Sequence, residues 1–213
     1  MGDGAEKTIL LVRHGETEWN RARRYQGWKD SPLTPTGIAQ AEAIGRRLRT
    51  LPEAVGASIV ASPSGRARRT AEIIAECLAA CGGRRVPIRC DERLREISLG
   101  SWDGLGKREI IAAGPEMFAG DGRWEWYFRT PDGETYDGFA GRIAAWLADL
   151  PGCPVIAVSH GVVTRIMRGL YAGLPRSEAL RLAVPQDRIF RLAGGAVAEI
   201  AAIEDTGGCR NGG

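Results

Sequence analysis

A chain of 213 residues and 22.9 kDa, 44% hydrophobic and 26% charged, is long enough for one globular domain with a sizeable core. A net charge of +3 and a pI near 8.7 are too mild to imply a nucleic-acid partner, and no apolar run reaches the roughly 20 residues a membrane-spanning helix needs. The five cysteines (Cys77, Cys81, Cys90, Cys153, Cys209) form no C-x-x-C pair and the polar residues 1–7 do not read as a signal peptide, so reduced thiols in a cytoplasm are expected.

The first element is Thr8-Ile9-Leu10-Leu11-Val12, a short aliphatic run suited to a strand buried on both faces of a parallel sheet. It ends in Arg13-His14-Gly15, and in open α/β sheets ligands bind beyond that end of a strand. Residues 19–30, rich in arginine with Tyr25 and Trp28 among them, read as a loop that is either a solvated face or an anion-facing wall. Thr34-Pro35 then supplies an N-cap and a first-turn proline for a helix whose apolar face is Ile38, Ala41, Ile44 and Leu48, with Pro52 closing it.

Residues 57–62 form a second buried-type strand, followed from Ser64-Gly65 by a helix with core positions Ala71, Ile74, Leu78 and Cys81. Its first turn carries Arg66, Arg68 and Arg69, where cations are disfavoured by roughly 0.3 to 1 kcal/mol each. The same terminus is a ready anion site, so Arg66, nearest the strand end, is expected to meet a ligand, and Arg68 and Arg69 to face solvent. Residues 86–90 make a third strand, leading to Leu94-Arg95-Glu96. From Ser101 to Thr135 the chain is irregular, glycine-broken and aromatic (Trp102, Phe118, Trp124, Trp126, Tyr127, Phe128), either a lid or the apolar anchor of a small sub-domain. A helix follows around Phe139, Ile143 and Trp146, then a strand from Pro154 to Ser159 ending in His160-Gly161, then a helix to Tyr171. Residues 189–192 and 197–203 flank Gly194-Gly195 as a terminal hairpin.

Strands alternating with helices predict a three-layer α/β/α sandwich around a mainly parallel sheet. The expected division is a disordered stretch at residues 1–7, one catalytic domain over 8–205 with 98–135 as a lid or substrate-selecting insertion, and a disordered tail at 206–213. Parallel strands present their C-terminal ends on one edge, which brings Arg13-His14, Ser62 to Arg66 and Ser159-His160 together. The chain has only two histidines, and both fall there. Two imidazoles, two guanidiniums and a helix N-terminus describe a phosphoryl site, in which guanidiniums clamp non-bridging oxygens, an imidazole attacks phosphorus and a carboxylic acid protonates the leaving oxygen. These residue types alone do not say which histidine attacks or which carboxyl is the acid. They also leave a metal open, although two histidines without a carboxylate cluster make a poor hydrolytic metal site.

Four runs occur in order: Val12-Arg13-His14-Gly15-Glu16-Thr17-Glu18-Trp19-Asn20; Ser62-Pro63-Ser64-Gly65-Arg66-Ala67-Arg68-Arg69-Thr70-Ala71; Leu94-Arg95-Glu96-Ile97-Ser98-Leu99-Gly100; and Val158-Ser159-His160-Gly161. Together they resemble the histidine phosphatase superfamily in its phosphoglycerate mutase-like branch, over residues 8 to about 200. The resemblance implies a metal-free enzyme without a cofactor, in which His14 is the nucleophile, His160 the second pocket histidine, and Arg13 and Arg66 the holders of the phosphoryl group. Glu96 matches the proton donor, Asn20 a phosphate-contacting asparagine, and Gln26-Gly27 a loop of substrate contacts. Gly161 is expected among the substrate contacts as well.

Both phosphatases and mutases use such a scaffold. The mutases carry an insertion after the acid with a lysine and a tandem arginine pair for the carboxylate of phosphoglycerate. Here Lys107-Arg108 lie early, Arg123 and Arg129 are isolated, and Pro131-Asp132-Gly133-Glu134-Thr135 resembles the phosphatase branch. The expectation is therefore a cytoplasmic phosphomonoesterase acting on a small phosphorylated metabolite through a phosphohistidine. A 2,3-bisphosphoglycerate-dependent phosphoglycerate mutase is the alternative, and a non-catalytic phospho-ligand binder a third reading. No nucleic acid or membrane partner is expected, and a homodimer is left open.

Overall fold

The computed structural model describes residues 7–80, 86–118 and 124–202. Among them six strands form one sheet: β1 (Ile9–Arg13), β2 (Ser58–Ala61), β3 (Ile88–Cys90), β4 (Val155–Ser159), β5 (Arg188–Ala193) and β6 (Ala196–Ala201). Their order is β3-β2-β4-β1-β5-β6. The first four named are mutually parallel, while β5 pairs antiparallel with both β1 and β6, so the sheet is mixed, with its parallel part carrying the two histidine-bearing strands.

Side-chain alternation along the strands divides the core into two layers. Leu10, Val12, Ile59, Ala61, Ile156 and Val158 face α2 (Pro35–Leu48) and α3 (Gly65–Ala79). Ile9, Leu11, Val155 and Ala157 face α5 (Tyr136–Ala148) and α6 (Gly161–Ala172). That is the expected three-layer arrangement, with α1 (Glu18–Arg21), α4 (Lys107–Ala113) and α7 (Arg176–Ala179) as short accessory helices. Each fully buried Leu or Ile of these layers contributes roughly 1.5 to 3 kcal/mol of transfer free energy.

Local signals in the sequence act as read at α2, where Pro35 opens the helix and Thr34 Oγ1 accepts the Gly37 N–H at 3.0 Å. Gly15 and Gly37 lie back to back; a Cβ on Gly15 would stand 2.2 Å from the Gly37 carbonyl oxygen, so the turn after β1 rests directly on the first turn of α2. Two details differ from expectation. Ile38 is 38% exposed, because the buried face of α2 runs through Ala41, Ile44, Gly45 and Leu48, and the helix stops at Leu48 before Pro52 opens a separate 3-10 turn. The stretch after His14 is also not all loop: Thr17 and Asn20 form a reciprocal capping box that starts α1.

In the aromatic segment Trp126 and Trp102 are buried in the core layer of α5 and α6, while Trp124, Tyr127 and Phe128 are partly buried against it. These rings mostly anchor the segment, and among its described aromatic side chains Tyr127 alone lines the cleft described below. Cys81, Cys209, Ile203, Arg123, residues 1–6 and the tail at 206–213 lie outside the described residues. Among the described residues no helix is long and apolar enough to cross a membrane.

Candidate active site

β1 and β4 pair in parallel with Arg13 opposite Ser159, so the next residue of each strand, His14 and His160, stand side by side. The His14 N–H donates to the Ser159 carbonyl at 2.9 Å. The ring centroids are 5.1 Å apart, edge to face at 63°, close to the spacing of neighbouring strands. In His14, Nδ1 lies 2.8 Å from the Gly15 carbonyl oxygen. A carbonyl only accepts, so Nδ1 carries the proton and Nε2 keeps its lone pair. Burial, and then the Arg66 and Arg13 guanidiniums, hold the His14 pKa well below the usual histidine range, which keeps the ring neutral.

His14 lines a cleft of about 400 Å³ together with Arg13, Asn20, Gln26, Gly27, Arg66, Glu96 and Gly161. Every residue expected at the site is on its wall except His160, which is completely buried beside His14. His160 Nε2 lies 2.7 Å from Ser62 Oγ, and its Nδ1 is buried without a partner. Burial, with Arg66 and His14 adding to it, also keeps the His160 pKa well below the usual range.

Arg66, at the first turn of α3, is 1% exposed, whereas Arg68 and Arg69 are exposed as expected. Its Nη1 donates to the Lys29 carbonyl at 2.7 Å and to Asp30 Oδ1 at 2.9 Å, and its Nη2 to the Gly27 carbonyl at 2.9 Å. Asp30 Oδ1 also accepts the Arg66 N–H at 3.2 Å. The anion that reconciles an arginine with a helix N-terminus is thus partly the protein's own carboxylate. Arg13 Nη1 donates to the Val184 carbonyl at 2.6 Å. The Nε atoms of Arg13 and Arg66 and Gln26 Oε1 are buried without partners. A buried polar group left unpaired costs roughly 1 to 3 kcal/mol, and such groups gathered around one cleft mark a place where a ligand completes them.

Asn20 serves its capping box through Oδ1, which accepts the Thr17 N–H at 3.2 Å and Gln186 Nε2 at 3.1 Å. Gln186 Nε2 also donates to the His14 carbonyl at 3.0 Å. Both bonds use the Asn20 oxygen, so its amide N–H groups stay available to the cleft. Gln26 Nε2 donates to Thr17 Oγ1 at 2.9 Å. Glu96 is the only acidic residue on the cleft wall among the described residues. Its Oε2 accepts the Val162 N–H in the first turn of α6 at 3.2 Å, and its Oε1 the Ile97 N–H at 3.1 Å.

Sequence reasoning missed Gln186, whose partners lie more than 160 residues away and leave no local pattern. It also set Lys107 aside as too early in the chain, yet Lys107 lines the cleft with Arg23, Arg24 and Arg165. Arg24 pairs with Glu109 at 3.3 Å, and Arg165 lies over the Trp124 ring at 5.3 Å. Among the described residues no three His, Cys, Asp or Glu side chains are grouped so as to hold a metal ion.

A family model of the histidine phosphatase superfamily (branch 1) matches residues 9–195. A relative named probable phosphoglycerate mutase GpmB, from Citrobacter koseri, is 40% identical over 196 residues, covering 86% of this chain and 83% of the relative. The solved structure of YhfR from Bacillus stearothermophilus superposes with a TM-score of 0.74 at 35% identity, covering 93% of this chain and 96% of that one. A mycobacterial glucosyl-3-phosphoglycerate phosphatase, solved with VO3, superposes with a TM-score of 0.68 at 27% identity over 92% of this chain and 97% of its own.

Proposed function

This chain belongs to the histidine phosphatase superfamily and is a histidine phosphatase enzyme, and we propose that it hydrolyses a small phosphorylated metabolite through a phosphohistidine at His14, without a metal ion. The observation that carries the reading is the state of His14. Its Nδ1 proton is engaged by the Gly15 carbonyl, its ring is neutral, and its free Nε2 belongs to a cleft that also holds the buried Arg66 and the half-buried Arg13.

In the proposed first step the Nε2 lone pair forms the N–P bond as the P–O bond of the ester breaks, and the leaving oxygen takes a proton from the Glu96 carboxyl. Arg13, Arg66 and the Asn20 amide meet the charge that spreads over the non-bridging oxygens. His160 supports that charge from behind through Nδ1. Water, deprotonated by Glu96, then attacks the phosphohistidine and releases inorganic phosphate. Free thiols at Cys77, Cys90 and Cys153 accord with a cytoplasmic setting.

A second reading is favoured by one observation. Lys107, Arg165, Arg23 and Arg24 add cations to the cleft beyond those needed for one phosphoryl group, and a close relative is named as a probable phosphoglycerate mutase. A sugar acid held by those cations could take the phosphoryl group back in place of water. Two measurements decide. A denaturing quench at alkaline pH during turnover should trap a base-stable phosphoprotein that is lost on acidification and that His14→Ala lacks, and activity should survive exhaustive chelation; metal dependence, or wild-type turnover by His14→Ala, would refute the mechanism. With 3-phosphoglycerate as substrate, release of inorganic phosphate supports the phosphatase, and interconversion stimulated by 2,3-bisphosphoglycerate supports the mutase.

A further inference from the structure

Glu96 sits on irregular chain between β3 and α4, and of its two carboxyl oxygens α6 holds Oε2 through the Val162 N–H. One peptide unit of the irregular chain holds the other. The Glu96 carbonyl oxygen accepts Trp28 Nε1–H at 3.0 Å and Arg142 Nη2–H at 3.1 Å, which occupies both of its lone pairs. The Ile97 N–H belongs to the same planar trans peptide and points the opposite way. That N–H donates to Glu96 Oε1 at 3.1 Å. Whatever holds the carbonyl therefore aims the donor that holds the carboxyl.

Arg142 is the better anchored of the two holders. Trp28 is 49% exposed, while the Arg142 side chain is 17% exposed and lies over the Phe139 ring at 4.5 Å. From α5 its guanidinium grips Glu134 with two bonds, Nε to Oε1 at 2.9 Å and Nη2 to Oε2 at 3.1 Å, and its Nη1 donates to the Arg93 carbonyl at 2.6 Å. Glu134 in turn accepts the Ser98 N–H at 2.8 Å, and its own N–H donates to the Ser98 carbonyl at 3.0 Å. One bidentate pair thus ties the chain on both sides of Glu96 as well as Glu96 itself. Neither Arg142 nor Glu134 lines the cleft.

We propose that Arg142, locked by Glu134, is a positioning residue that aims the Glu96 carboxyl at the leaving oxygen by clamping the Glu96–Ile97 peptide. This rests on the reading of Glu96 as the proton donor. Loosening the clamp should cost most where protonation matters most, on esters with poor leaving groups, and little on activated ones.

The test compares Arg142→Gln, Arg142→Lys and Glu134→Gln with Glu96→Gln, each assayed for kcat/KM on p-nitrophenyl phosphate and on glycerol phosphate, with thermal midpoints measured alongside. Arg142→Gln should lose at least ten-fold more activity on the alkyl ester than on the aryl ester, a weaker copy of the selectivity of Glu96→Gln. Arg142→Lys, which keeps the cation but not the fork of donors, should fall between. Equal losses on both esters, or none, in the Arg142 and Glu134 variants overturn the assignment. If Glu96→Gln is selective and they are not, the positioning role alone fails; if Glu96→Gln is itself unselective, the proton-donor reading fails and takes the positioning role with it. Should Arg142→Gln not fold, Glu134→Gln, nearly isosteric, and Arg142→Lys carry the comparison.

Discussion

Ser62 Oγ lies 2.7 Å from His160 Nε2, while the opposite nitrogen of that ring is buried with no partner. The serine directly follows β2 and the histidine directly follows β4, strands that pair in parallel register with Ala61 opposite Val158. Ser62 thus fixes one end of the imidazole, and with it the direction of the unpaired end. In Ser62→Ala the ring loses its one side-chain partner, a loss of about 1 to 3 kcal/mol for a buried group. The expected result is a fall in kcat on an aryl phosphate of about ten-fold, which corresponds to about 1.4 kcal/mol. A kcat equal to wild type would show that the ring needs no such support.

Gln186 joins the His14 carbonyl to the Asn20 side chain. Its replacement by leucine should lower kcat/KM about five- to ten-fold, the equivalent of one modest buried hydrogen bond. A double-mutant cycle with Asn20→Ala is the informative measurement, because residues that act through one another are not additive. Additive losses would mean that Gln186 does not work through Asn20.

Gly27 has φ = 51°, and a Cβ there would stand 1.5 Å from Asp103 Oδ1. That carboxylate accepts the Leu99 and Trp28 N–H groups, and the Gly27 carbonyl accepts Arg66 Nη2. Gly27→Ala must therefore add left-handed backbone strain and displace a buried carboxylate at once. A loss of at least about 2 kcal/mol in urea unfolding is expected, together with lost activity through Arg66. Unchanged stability would refute this account of the loop.

The chain has two histidines, and both are buried with lowered pKa values. In the unfolded chain each titrates near 6.5, so below that pH the unfolded state takes up protons that the folded state refuses. The resulting stability is fully present above pH 6.5 and is lost as the pH falls below it. The slope should reach up to about 1.4 kcal/mol per pH unit for each histidine. Unfolding free energies of the ligand-free protein between pH 7.5 and 5.5 should fall accordingly, and His160→Gln should roughly halve the slope. A flat profile would contradict the buried neutral rings.

What the sequence discloses most readily is what local chemistry encodes. Thr34-Pro35 opens α2 because a cap and a first-turn proline work within one turn, and the apolar runs ending at Arg13 and Ser159 become neighbouring strands because both are buried on two faces. Arg66 is legible through its conflict with the helix N-terminus, although the sequence does not reveal that Asp30 resolves part of it. Ile38 misleads because helical spacing cannot say how wide the buried stripe of α2 is. Lys107, Gln186 and Arg142 act across distances that only the folded chain defines, and no periodicity points to them.

The unslipped pairing of β1 with β4 makes the distance between the two imidazoles a property of the sheet. A sheet does not loosen residue by residue, so the spacing of the two imidazoles is mechanically insulated from the segment above it. Much of the wall that meets the rest of a substrate comes instead from loops and short helices, Lys107 and Tyr127 among them. The molecule is in that sense a fixed tool with an exchangeable grip. Grafts between residues 104 and 130 that restore the apolar plug Trp126 should retarget the enzyme without retiming its chemistry, provided Trp102, Asp103, the chain around Glu96 and the Glu134–Arg142 brace are left whole.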